Sequence, residues 1–148
     1  MFAQAQVPVT QLSLTRQGAA THFALGQALT PLRDEGVVIV ASGAITHNFG
    51  WLDWHARNTS PPLPKALGFA EWVREHLAAI DIPTLIDYRA APYGAEAHPT
   101  EDHILPFFVA LGAAGDELPE QYLPNFTYGG LAMDAYAWGF RKQISMGE

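Results

Sequence analysis

The chain has 148 residues, 49% hydrophobic and 16% charged, the size and balance of one globular domain with a buried core rather than of a disordered chain. Eight basic against fifteen acidic side chains leave a net charge of −7, and no lysine or arginine run is present, so nucleic acid is not an expected partner. The absence of cysteine excludes disulfides, thiolate metal sites and cysteine nucleophiles, leaving His, Asp and Glu as donors for a hard or borderline metal.

Residues 1–8 have neither the basic segment nor the long apolar segment of a signal peptide, and no apolar stretch approaches membrane-spanning length. A cytoplasmic protein with no membrane partner is expected. Val7 to Leu14 alternates imperfectly and reads as a strand, with Pro8 tolerable only at its start. From Gly18 to Leu32, apolar residues recur at three- and four-residue steps (Ala19, Phe23, Leu25, Ala28, Leu29, Leu32), which predicts a helix stopped by Arg33-Asp34-Glu35-Gly36. Val37 to Ala41 is an unbroken apolar run too short for a helix and predicts a strand covered on both faces. Strand, helix, strand in this order predicts a right-handed βαβ unit, and with it an α/β fold: a mostly parallel sheet with flanking helices.

Ser42 to Ser60 is polar, aromatic and irregular, closed by Pro61, Pro62 and Pro64, and reads as a functional loop. Lys65 to Ile80 predicts an amphipathic helix with Leu67, Ala70, Val73, Leu77 and Ile80 inward, and a short helix is expected over Thr84 to Tyr88. Thr100 is the expected N-cap of a helix running to about Ala114, stopped by Gly112 or Gly115. The glycine-rich, aromatic stretch from Tyr122 to Phe140 is strand-like. No repeat or linker divides the chain, so residues 1–140 form one expected domain, with 141–148 a polar tail.

Histidines carry the chemistry. His47 follows the exit of the Val37–Ala41 strand, where open α/β sheets hold their ligands. In the predicted helix His103 stands three residues after Thr100, a position compatible with a capping side chain or with a neutral imidazole free to bind metal. His98, extended because Pro99 follows it, suits a turn or a supporting partner of His103. His55 shares an aromatic loop with Trp51 and Trp54, where it lines a pocket or stacks. His22 and His76 fall within amphipathic helices and are expected to be solvated. Glu101 and Asp102 are favourable charges for a first helical turn. No phosphate-binding glycine loop, Gly-x-Ser-x-Gly elbow or His-Glu-x-x-His helix occurs.

Two stretches carry a family resemblance. Leu32 through Gly43 followed by Thr46-His47-Asn48 is one; His98-Pro99-Thr100, His103-Ile104-Leu105-Pro106 and Leu111 to Gly115 form the other, and Tyr128-Gly129-Gly130-Leu131-Ala132-Met133 is similar to a closing strand. From about Val7 to Trp138 the chain resembles the DOPA-type class III extradiol ring-cleavage dioxygenases, non-haem metal enzymes that open catechol rings with dioxygen. The resemblance implies half of the class III extradiol dioxygenase fold, with iron(II) or zinc(II) as cofactor. It places His103 on a metal-ligand position and His47 on the position of an active-site histidine that is either a further metal ligand or the acid–base group beside the metal, with His47 the candidate base. His98 and His55 are the candidates for substrate contact.

Members of that family have a further half with two more metal histidines, in Gly-His-Gly-Ser-Pro and Ser-Ala-His-Trp motifs, and neither motif is present. The chain therefore looks like the C-terminal half. Activity is expected to require a separate chain supplying the missing ligands, and a homo-oligomer is expected to cover exposed strands. The alternative is a non-catalytic remnant or regulatory subunit that binds a phenolic ligand or a full-length homologue. A small hydrolase using His47, His103 and a carboxylate ranks last, for want of a nucleophile signature.

Overall fold

The computed structural model describes residues 4, 6–57, 60–122 and 125–139; the polar tail lies outside them. Its elements are helices α1 (Ala19–Asp34), α2 (Pro64–Ala78), α3 (Ile82–Ile86), α4 (Gly94–Ala97) and α5 (Leu105–Ala114), followed by strands β1 (Glu120–Tyr122), β2 (Phe126–Thr127), β3 (Leu131–Ala132) and β4 (Ala135–Ala137). Short 3-10 turns at Phe49–Trp51 and Tyr88–Ala90 lie between the helices.

Among the described residues the sheet content is two antiparallel ladders of two strands each, β1 with β4 and β2 with β3. The expected mostly parallel sheet and its βαβ crossover are not formed. Residues 7–14 and 37–41 lie in no ladder, and the reason is visible in their surroundings. Val9, Val38 and Val40 are 83%, 81% and 68% exposed, so these runs have neither a neighbouring strand to bond nor a layer to cover them. β-branched composition favours a sheet only when a partner surface exists.

The helices follow the sequence more closely. In α2, Ala70, Val73 and Leu77 are buried as predicted, together with Ala66 and Phe69, while Leu67 is half-buried, as is Ile80 two residues beyond the helix end. α1 ends as expected at Gly36, whose left-handed φ of +81° completes the stop. Its inward face differs from the expectation: Ala19, His22 and Gly26 are buried, whereas Ala28 is exposed. The smallest residues face α5 because the two backbones touch there. A Cβ on Gly26 would sit 2.1 Å from the Val109 carbonyl oxygen, and one on Gly112 would sit 2.0 Å from that of Phe23. Gly112 thus lies inside α5, and Gly115, with φ +65°, is the stop. Arg33 clasps the far end, donating to the Ala113 carbonyl at 2.8 Å and pairing with Glu117 at 2.8 Å, where a cation satisfies the last carbonyls of α5.

α5 begins at Leu105 rather than at Thr100. Pro106 lacks an N–H, so a helix accommodates it only in the first turn. His103 consequently sits in the turn before α5, where the Ile104 and Leu105 amides bond the Glu101 carbonyl. The core joins Phe69, Val73 and Leu77 of α2 to Leu85, Tyr88, Ile104, Phe108, Leu111 and Ala132. No helix of the described residues is long and apolar enough to cross a membrane.

Gly26→Ala is expected to destabilise the chain by about 1–3 kcal/mol through overpacking against a rigid backbone, whereas Gln27→Ala, on the exposed side of the same turn, should be near neutral. Urea denaturation of the two variants provides the comparison.

Candidate active site

The segment Ala44–Asn48 is tied at every residue. The Ala44 amide donates to the His103 carbonyl at 2.8 Å, and the His47 amide to the Ala97 carbonyl at 2.9 Å. The Ile45 carbonyl accepts from His98 Nε2 at 2.8 Å. Thr46, fully buried, donates from Oγ1 to the Gly130 carbonyl at 2.8 Å and accepts from the Ala132 amide at 2.7 Å. Asn48 donates to the Glu96 carbonyl at 2.7 Å and accepts from the Gly50 amide at 2.8 Å. Gly43 is required one residue earlier, since a Cβ there would lie 2.1 Å from the His103 carbonyl oxygen.

These ties bring His47 and His103 together. Their rings stack at 3.5 Å between centroids and 15° between planes, with Phe49 edge-on to His47 at 4.8 Å. Asp102 Oδ2 lies 3.2 Å from His103 Nε2. Desolvation and then the electrostatic influence of neighbouring His103 hold the pKa of His47 below its ordinary value, with Asp102 acting in the opposite sense. Two imidazoles in van der Waals contact do not readily carry two protons, so at neutral pH His47 keeps a free lone pair. Asp102 itself is held below the usual carboxylate range, first by the Thr100 hydroxyl and further by the two histidines.

The other histidines are placed differently. His98, one of the two candidates for substrate contact, is fully buried. Because a carbonyl only accepts, its Nε2 carries the hydrogen, and Nδ1 is left buried without a partner. Burial lowers its pKa to about 4, the Ile45 carbonyl pulling the other way. His55 is exposed on the loop, its amide donating to Asp53 at 2.9 Å. His22, expected in solvent, is fully buried: its ring bonds the Gly18 carbonyl at 3.0 Å and accepts from the Thr15 amide at 3.3 Å, tying the chain ahead of α1 to the helix. His76 is half-buried, 3.1 Å from Asp81. Glu101 accepts from the Tyr88 hydroxyl at 2.8 Å instead of serving a helix terminus.

Sequence reading overlooked Thr46 and the β2–β3 hairpin as parts of this site. The Tyr128 carbonyl accepts from the Asp53 amide, and the Tyr128 ring meets Trp54 at 4.9 Å, with Tyr128 held at a left-handed φ of +50°. A threonine immediately before His47 was the available signal.

Residues 1–136 match the family model described as the catalytic LigB subunit of aromatic ring-opening dioxygenase. The chain belongs to this family. A relative named 4,5-DOPA dioxygenase extradiol from Escherichia coli (strain K12) is 37% identical over 123 residues, covering 80% of this chain and 45% of the relative. One of the same name from Beta vulgaris is 36% identical over 138 residues, covering 88% and 48%. The crystal structure of an uncharacterized protein from Escherichia coli K12 is similar to this LigB-family chain with a TM-score of 0.75 and 35% identity, over 83% of this chain and 51% of that one. The chain spans about half the length of the relatives it matches.

The donor set of this LigB-family chain does not by itself fit a catalytic metal. Among the described residues no group of three or more His, Asp or Glu side chains is placed to hold an ion, and the two stacked imidazoles fall short of the three protein ligands that a catalytic metal needs.

The lowered pKa of His98 fixes a pH dependence. Its folded form binds a proton less readily than the unfolded chain, so its contribution to stability is present above pH 6.5 and is lost as pH falls from 6.5 toward 4. The full loss is on the order of 3 kcal/mol at about 1.4 kcal/mol per pKa unit. Urea midpoints between pH 7 and pH 4 should fall accordingly in the parent chain and fall less in His98→Gln.

Proposed function

We propose that this chain carries the acid–base histidine pair of an aromatic ring-opening dioxygenase that cleaves catechol-type rings with dioxygen. The observation that carries the reading is the His47–His103 stack, which joins the two motifs of the family resemblance in one place. In this reading His47 is the base. Its ring is partly open to solvent and neutral at pH 7, so it can accept a proton from a catechol hydroxyl. The depressed pKa costs it some basicity and favours the unprotonated form that accepts a proton. Phe49 and Trp54, 64% and 62% exposed, offer apolar faces to an aromatic ring on the same loop, and His55 is retained as a candidate contact to a ring substituent.

His103, with His47 as a possible second donor, is proposed to contribute to an iron(II) or zinc(II) centre. The further ligands would come from outside the described residues, through a partner chain or a homo-oligomer that also covers residues 7–14 and 37–41; no chemical step is assigned to that centre. A single domain over residues 1–140 and a cytoplasmic setting belong to the same proposal. The second reading, a non-catalytic subunit that binds a phenolic ligand, is favoured by the aromatic rim, which can hold a phenol without turning it over.

With two imidazoles and no third donor beside them among the described residues, the isolated chain should bind iron(II) or zinc(II) weakly, and calorimetry should find no stoichiometric site that survives dialysis. The exposed valines should drive self-association, read by light scattering; a monodisperse monomer at high concentration would count against the proposed cover. In an assembly that opens catechol rings, His103→Ala should abolish metal retention, whereas His47→Ala should lower turnover by about 10²-fold or more with metal kept. Equal metal loss in both variants would make His47 a ligand. Stoichiometric catechol binding without ring opening in every assembly would favour the non-catalytic reading.

A further inference from the structure

We propose that His98 is a positioning residue for His47, setting the face-to-face contact of the His47 and His103 rings through a neutral Nε2–H donated to the Ile45 carbonyl. The proposal rests on the reading of His47 as the working histidine, but its geometry stands independently.

The segment 97–103 reaches both rings. Ala97 accepts the His47 amide at 2.9 Å, and His98 holds the Ile45 carbonyl, two residues before His47, at 2.8 Å. Adjacent residues therefore grip the peptide units on either side of Thr46. Five residues later the same segment carries His103, whose carbonyl accepts from the Ala44 amide. The spacing between the two rings is thus set within a closed loop of contacts, and His98 is its one side-chain link from the 97–103 side.

The imidazole of His98 is itself immobilised. Phe69 and Tyr88 meet it edge-to-face, at 5.9 Å and 68° and at 5.8 Å and 89°. Tyr88 is anchored in turn by donating to Glu101 at 2.8 Å. With no partner at Nδ1, the ring makes one hydrogen bond, and that bond is aimed at the His47 segment. A residue serving the core alone would be better apolar, because the orphaned nitrogen is a burden that an apolar side chain of similar size avoids. The single directed bond is the feature such a replacement lacks.

The test compares two amides in the full chain. In His98→Gln the terminal N–H can take the place of Nε2–H, whereas in His98→Asn, one methylene shorter, it falls short of Ile45. Proton NMR of the imidazoles should show ring-current shifts and a cross-ring nuclear Overhauser effect between His47 and His103 in the parent chain and in His98→Gln. Both should be lost in His98→Asn, with circular dichroism confirming that it is folded. Retention of both signals in a folded His98→Asn, or their loss in a folded His98→Gln, overturns the proposal. Should His98→Asn fail to fold, the parent chain decides: nitrogen shifts should report a protonated Nε2 with a slowly exchanging hydrogen and an unprotonated Nδ1, and the reverse tautomer refutes the assignment. Failure of every assembly to open a catechol ring would instead count against the functional reading and leave this result unchanged.

Discussion

The backbone of residues 44–48 is the constraint on which the site depends. It has no regular secondary structure to satisfy its polar groups, and each buried amide or carbonyl left unpaired would cost about 1–3 kcal/mol. The molecule meets this demand with six hydrogen bonds from five consecutive residues to three separate places: the segment 96–98, the turn before α5 and the β2–β3 hairpin. Because the ties run in different directions, the segment cannot slide toward one support without stretching another. The position of the His47 ring follows from this bracing.

Those supports are rigid for reasons that lie farther away. α5 holds its angle because Gly26 and Gly112 let two helix backbones meet, and Arg33 closes the same contact at its end. The turn before α5 exists because Pro106 delays the helix by several residues, which frees the His103 carbonyl to face Gly43. A helix beginning at Thr100 would have drawn that carbonyl into its own ladder. The helix-packing glycines and the proline therefore act on the same geometric quantity, the separation of the two imidazoles.

Electrostatics and packing agree at the stack. Two rings in contact exclude water from each other's face and oppose double protonation, while Asp102 beside His103 counters the repulsion for one proton. The arrangement favours states in which the two rings do not both carry a proton. It is less suited to holding an ion alone, consistent with a chain that covers about half the length of its relatives.

Local pattern was enough to determine the main helices, the loop character of 42–60 and the family, because helical periodicity and short motifs are written in neighbouring residues. The valine runs misled for a physical reason: composition records a preference for a buried strand, and only neighbouring strands turn that preference into a ladder. His22 and His98 were equally illegible, since a histidine inside the core and one in solvent have the same letter, and their burial is decided by chain segments distant in sequence. Tertiary structure alone decided that Gly43, Thr46, Ala97, His98 and Gly130 meet around one segment. Hydrogen bonds between residues as far apart as Thr46 and Ala132 depend on how the helices pack, and no local pattern encodes that.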